Sequence, residues 1–206
     1  MADQIKKPKK KETWDETIRS FLYAVAIALL FRSVAFEPFH IPSGSMLSTL
    51  YEGDYIFVSK YSYGYSRFSF PLALPLFKGR IMEGTPQRGD VVVFRLPAQE
   101  LDGGLQKIYV KRVIGLPGDY IHLKSDGVYL INQQSGLETK INEPYLFPQP
   151  VLAEKYLSMS NELGEKFFVP RGQYFVLGDN RLHSRDSRYF VKPFLTKNQI
   201  IGQYFF

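Results

Sequence analysis

Ile108-Tyr109-Val110-Lys111-Arg112-Val113-Ile114 alternates β-branched and aromatic residues with no helical period, and it reads as a β-strand. Period-2 alternation puts Tyr109, Lys111 and Val113 on one face and Val110, Arg112 and Ile114 on the other. Both faces are equally apolar, so each has a cation embedded in it. Similar runs lie on either side: Asp54 to Val58, Asp90 to Phe94, Tyr120 to Leu123, Val128 to Ile131, Gln173 to Leu177 and Ile200 to Phe206. Asp126-Gly127 reads as a hairpin turn, and Pro117-Gly118 supplies the preset φ and permissive glycine of a type II turn. No helical period of useful length follows residue 40. The expected fold is therefore mainly β, an antiparallel sheet or barrel-like domain. The polar, irregular stretch from about 132 to 170 reads as a small insertion.

The N-terminal region is different. Ile18 to about Phe36 is apolar, with charges only at Arg19 and Arg32. As a helix, about nineteen residues at ~1.5 Å each reach nearly the ~30 Å of a hydrocarbon core. Its uncharged centre, Ser20 to Phe31, is twelve residues, and Ser33-Val34-Ala35 weakly resembles a signal-peptide cleavage site. Arg32 can snorkel to the far interface, so the segment is read as an uncleaved anchor, with Glu37-Pro38 ending the helix. This divides the chain into a basic tail (1–17), a single-pass anchor (18–37) and a β domain (38–206).

Charge agrees with that division. The net charge is +6, and Lys6, Lys7, Lys9, Lys10 and Lys11 against Asp3 and Glu12 place +3 of it in the first twelve residues, leaving +3 for the other 194. A basic tail before an apolar segment fits a cytoplasmic N-terminus with the β domain on the outer face of the membrane. It does not fit a nucleic-acid binder, whose charge belongs on a folded face. The absence of cysteine rules out a thiol nucleophile, cysteine-ligated zinc and an iron–sulfur cluster. Residues 61 to 81, aromatic with Arg67, Lys78 and Arg80, suit either a headgroup layer or packing against their own domain.

Just beyond the apolar run lies Ile41-Pro42-Ser43-Gly44-Ser45-Met46, a small-residue serine turn. A serine hydroxyl needs a base to become a nucleophile. His40 lies only five residues before Ser45 in an extended stretch, and His122 sits in an expected strand with no acidic residue at a suggestive spacing. His183, near Asp179 and Asp186, leaves a Ser/His/Asp arrangement open. Lys111 is the other candidate, provided its surroundings lower its pKa; Arg112 stays protonated and cannot serve. The residue pattern alone leaves His183 and Lys111 both open.

Three separated motifs carry a resemblance. Pro42-Ser43-Gly44-Ser45-Met46, Tyr109 to Asp119, and Gly178-Asp179-Asn180-Arg181 with Ser184, Asp186, Ser187 and Arg188 resemble, in order and spacing, the boxes of bacterial type I signal peptidases. Glu37-Pro38-Phe39 and Gly53-Asp54-Tyr55 fit as well. The resemblance implies that Ser45 is the nucleophile and Lys111 its general base. It assigns the oxyanion to the Ser43 hydroxyl and the Ser45 amide. Ser184 is expected to hold the Lys111 amine, Asp186 and Arg188 to form a bracing ion pair, and Asp179 and Arg181 to support the same loop. Phe39, Ile41, Pro42, Leu50, Tyr109 and Val110 are expected to line shallow substrate pockets.

The implied substrates are preprotein signal peptides at a bilayer surface, cut after A-x-A-like small residues by a monomeric enzyme with no metal or cofactor. A self-cleaving Ser/Lys repressor would lack the N-terminal span, and a silent membrane-tethered β module would need only the fold. Leu182-His183 stands where many members carry an acidic residue and an asparagine, which leaves the orientation of that loop open.

Overall fold

The computed structural model describes residues 14–34, 36–66, 80–81, 84–97, 107–124, 126–146 and 166–205. Residues 1–13 of the expected basic tail (1–17), the centre of the aromatic stretch (67–79) and the middle of the insertion (147–165) fall outside these, while residues 14–17 of that tail are helical.

One helix, α1 (Trp14–Val34), opens the described chain, with Asp15 and Glu16 in its first turn, where the helix dipole favours acids. Thirteen strands follow. They are β1 (Phe36–His40), β2 (Tyr55–Ser59), β3 (Tyr65–Ser66), β4 (Arg80–Ile81), β5 (Val91–Leu96), β6 (Lys107–Gly115) and β7 (Tyr120–Lys124), then β8 (Gly127–Ile131), β9 (Glu138–Lys140), β10 (Lys166–Phe168), β11 (Gln173–Leu177), β12 (Leu195–Thr196) and β13 (Ile200–Tyr204). All their pairings are antiparallel. The main sheet has seven strands in the order β1-β2-β13-β5-β6-β11-β12; a second has the order β10-β7-β8-β9; β3 and β4 form a ribbon. The mainly β expectation holds; among the described residues the large sheet runs from β1 to β12 as its two edges, with no pairing that closes it into a barrel.

The helix ends earlier than the sequence suggests. Phe36 and Glu37, assigned above to the anchor, belong to β1, where Glu37 faces Val58. Pro38 disfavours helix at Glu37, and a strand containing proline is tolerated here because β1 pairs on one side only. Among the described residues, no helix is long and apolar enough to cross a membrane. Even so, Ile18, Phe21, Leu22, Tyr23, Ile27 and Leu29 of α1 all stand exposed.

β5 is apolar on both faces because core lies on both sides of it. Val92, Phe94 and Leu96 pack with Val113, Tyr174, Val176 and Phe190, while Val91 and Val93 pack with Ile41, Met46, Leu50, Ile56 and Val58. A third cluster joins Ile121, Leu123 and Val128 of the smaller sheet to Ile114, Phe175 and Leu177 of the larger one. Of the two expected turns, the one at Pro117-Gly118 is present: Asp119 N–H closes on the Leu116 carbonyl at 3.0 Å around Gly118 (φ 92°). At the β7–β8 hairpin Asp126 is in the turn, but Gly127 already belongs to β8, where it faces Lys124. Tyr63, from the aromatic stretch, is core, whereas Tyr61 is exposed.

Burial separates two phenylalanines of the seven-stranded sheet, Phe94 on β5 and Phe57 on β2. Phe94→Ala empties a fully buried site and should cost ~3–5 kcal/mol in chemical denaturation. Phe57→Ala, on the open face at 50% exposure, should stay within about 0.5 kcal/mol of wild type.

Candidate active site

Three chain segments meet at the end of β11. The first leaves β1. Ile41 N–H donates to the Asp54 carbonyl at 2.9 Å, and Gly53 N–H donates to the Ile41 carbonyl at 3.0 Å. The chain then makes a single 3-10 turn, Gly44–Met46. Met46, Leu50 and Ile41 are buried and seat this turn in the core. Ser45, between them, is 8% exposed.

The second segment is β6, which pairs with β5 along Lys107 to Arg112, whereas β11 covers its other edge only from Arg112 to Gly115. Lys111 is the residue just before that cover begins. Its Nζ lies 2.6 Å from Ser45 Oγ and donates to the Val110 carbonyl at 2.8 Å, and the residue is 3% exposed. Burial pushes its pKa from 10.5 down to about 8; Asp186 and Asp179 oppose the shift and Arg188 assists it.

Arg112 projects from the opposite face, as the alternation requires. It makes a bidentate pair with Asp179 (Nε to Oδ1 at 2.8 Å, Nη2 to Oδ2 at 2.6 Å), and its Nη1 donates to the Gly89 carbonyl at 2.7 Å. Thr49, four residues past Ser45, donates its hydroxyl to Asp179 Oδ2 at 2.5 Å.

The third segment is Gly178 to Arg188. Asn180 holds the serine turn directly: its Nδ2 donates to the Gly44 carbonyl at 2.9 Å and its N–H to the Ser45 carbonyl at 3.1 Å. Gly178 permits this approach, since a Cβ there would lie 2.5 Å from the Ser45 carbonyl oxygen and 2.1 Å from Ser184 Oγ. Asp186 is fully buried and saturated, accepting from Arg188 Nε and Nη2 (2.8 Å each), Gly178 N–H (3.0 Å) and Ser184 Oγ (2.7 Å). Burial alone would raise its pKa, but the Arg188 charge and these donors together hold it below the usual carboxylate value. Arg188 also donates to the Arg181 carbonyl at 2.8 Å, and Arg181 pairs with Glu143.

The structure thus brings together Ser43, Ser45, Lys111, Asp179, Arg181, Ser184, Asp186 and Arg188. Ser43 Oγ lies 3.5 Å from Ser45 Oγ. Ser184 differs from its expected role: its hydroxyl goes to Asp186, and the Lys111 amine is held by Ser45 and the Val110 carbonyl. Among the pocket candidates, Phe39, Tyr109 and Val110 are half-buried, Pro42 is exposed, and Ile41 and Leu50 are core.

The histidines lie elsewhere. His40 and His183 are exposed, and His122 pairs with Glu138 on the smaller sheet. Sequence reasoning missed Thr49, Asn180 and Glu143 and gave Arg112 no task. Asn180 lay inside a quoted motif, but nothing local marked Glu143.

Comparison with known proteins identifies the family. A family profile described as "Signal peptidase, peptidase S26" matches residues 14–206. A signal peptidase I of Rickettsia conorii (strain ATCC VR-613 / Malish 7) is 41% identical over 218 residues, covering 93% of this chain and 79% of that protein. One from Rickettsia typhi (strain ATCC VR-144 / Wilmington) is 41% identical over 202 residues, covering 87% and 75%. A crystal structure of a signal peptidase I from Enterococcus faecalis V583 matches at 30% identity over 58% of this chain and 96% of that chain, with a TM-score of 0.34. The chain belongs to the signal peptidase family, peptidase S26, and is a serine endopeptidase.

Proposed function

We propose that this chain removes N-terminal signal peptides from exported preproteins with a Ser45/Lys111 dyad, cutting after small residues in an A-x-A-like pattern. The observation that carries this reading is the 2.6 Å contact between Ser45 Oγ and a buried Lys111 Nζ. A neutral Lys111 spends one N–H on the Val110 carbonyl, which leaves its lone pair free to accept the Ser45 proton.

Ser45 Oγ attacks the scissile carbonyl, and the Ser45 N–H and Ser43 hydroxyl donate to the oxyanion. The tetrahedral adduct collapses as Lys111 returns its proton to the leaving amine. The acyl-enzyme is then hydrolysed by a water that Lys111 deprotonates. No metal or cofactor enters this scheme.

The β6 edge from Lys107 to Lys111, uncovered by β11, offers main-chain groups to a substrate lying as an extra strand. Phe39, Tyr109 and Val110 line its course beside the exposed Pro42. Phe39 and Val110 pack on the cluster that holds Ile41 and Leu50, whereas Tyr109 packs with Phe94 and Phe190, so pockets built there are shallow and favour small side chains.

We also assign α1 to a bilayer. Ile18, Phe21, Leu22, Tyr23 and Ile27 stand exposed along it, and its charges are confined to Asp15, Glu16, Arg19 and Arg32 near the two ends. The basic tail then lies in the cytoplasm and the β domain on the outer face, acting as a monomer on peptides and not on nucleic acid. Alkaline carbonate extraction should leave the full chain with the membrane pellet and release a chain starting at residue 36; extraction of both would remove the anchor.

Ser45→Ala and Lys111→Ala should each abolish preprotein cleavage in detergent micelles, and cleavage near the wild-type rate by either would discard the dyad. Only the neutral amine acts as base, so kcat/KM should rise with pH to a plateau with a midpoint at about 8, falling about tenfold per pH unit well below it.

A further inference from the structure

We propose that Glu143 and Tyr145 are positioning residues, forming a strap from the smaller sheet that fixes the serine turn against Lys111. This rests on Ser45 being the nucleophile. The strap lies in the stretch that reads as an insertion, and none of the motifs behind the family resemblance includes it.

Three separate contacts run from these two residues to the catalytic loops. The Tyr145 ring centroid lies 3.9 Å from the Arg112 guanidinium carbon, a stacked geometry in which the cation faces the ring. The Tyr145 carbonyl accepts the Ser48 hydroxyl at 2.6 Å. The Glu143 carboxylate pairs with Arg181, both side chains only 4% exposed, and also accepts the Tyr145 hydroxyl at 3.0 Å. Each of the three lies one link from the chemistry. Arg112 follows Lys111 and grips the Asp179 that holds Thr49. Ser48 lies three residues past the nucleophile, and Arg181 is next to the Asn180 that holds the Gly44 and Ser45 carbonyls.

Ser48 supplies an independent sign of tension. Its φ is 76°, a left-handed conformation that costs a non-glycine residue about 1–3 kcal/mol and persists where surrounding contacts over-determine it. Its side chain donates to the Tyr145 carbonyl. Upstream, Ile141 N–H donates to the Val128 carbonyl at 2.9 Å, so the strap is rooted on β8. The smaller sheet, which holds no reacting group, thereby braces the serine turn from outside.

The test compares amide exchange of residues 44–50 and turnover in the full chain in detergent micelles. Tyr145→Leu removes the stack and Ser48→Ala removes the carbonyl link, and Ser48 is exposed, so that variant should fold even if the other does not. In both, exchange at 44–50 should rise about tenfold while β5 amides stay unchanged. Turnover of Tyr145→Leu should fall about 10- to 100-fold in kcat with KM within about twofold, the pattern of a displaced nucleophile. Tyr145→Phe, which keeps ring and carbonyl, should recover kcat to within about threefold of wild type.

Unchanged exchange at 44–50 in Ser48→Ala and in folded Tyr145→Leu would overturn the strap, as would exchange rising equally in β5. The exchange is read without substrate, so a Ser45→Ala variant that still cleaved would end the peptidase reading and leave this result standing.

Discussion

The site is organised around a buried amine to which, among the described residues, no carboxylate is bonded. Lys111 donates to Ser45 Oγ and the Val110 carbonyl, and neither neutral acceptor offsets the loss of water around its charged form. A carboxylate in contact would have pinned it as an ammonium and removed the base. The fold supplies carboxylates close by, yet each is already occupied. Asp186 is bonded by Arg188, Ser184 and Gly178, Asp179 by Arg112 and Thr49, and Glu143 by Arg181 and Tyr145. Three arginines against three acids leave Lys111 as the cation of this group without an ion pair.

This arrangement follows from the alternation of β6. Lys111 and Arg112 are adjacent, so they must project to opposite faces. One meets the serine turn, and the other meets the loop that leaves β11. The same strand therefore places Lys111 and anchors the loop that holds the serine turn. Because β11 ends its pairing at Arg112, the edge beside Lys111 carries no paired strand among the described residues.

Much of this was legible in the residues. The strands announced themselves by β-branched and aromatic content, and the Pro117-Gly118 turn by its chemistry. The serine turn, Lys111 and the last motif were legible only together, through a resemblance, because periodicity could not choose between Lys111 and Arg112 or exclude His183. What was not legible depends on contacts between distant segments. β1 was hidden by Pro38, which looks like a helix stop but sits in an edge strand. Ser184 turns to Asp186 instead of the amine because Asp186 lies two residues away and has a lone pair to fill. Glu143 and Tyr145 gave no local signal, since a polar stretch looks the same whether it is solvated or braces an arginine. Membrane crossing by α1 was read from its apolar run, whereas the described helix carries Asp15, Glu16 and Arg19 in its first two turns.

The central claim is that the fold keeps Lys111 neutral enough to take a proton from Ser45. Direct titration of Lys111 tests it most closely, by following the side-chain carbon and nitrogen resonances of isotopically labelled lysine in the substrate-free enzyme, with Lys111→Arg to assign the signal. A midpoint at about 8 is expected for this lysine, set apart from the solvated ones. A midpoint at the ordinary lysine value of 10.5 would contradict it, because the amine would then be charged wherever the enzyme works.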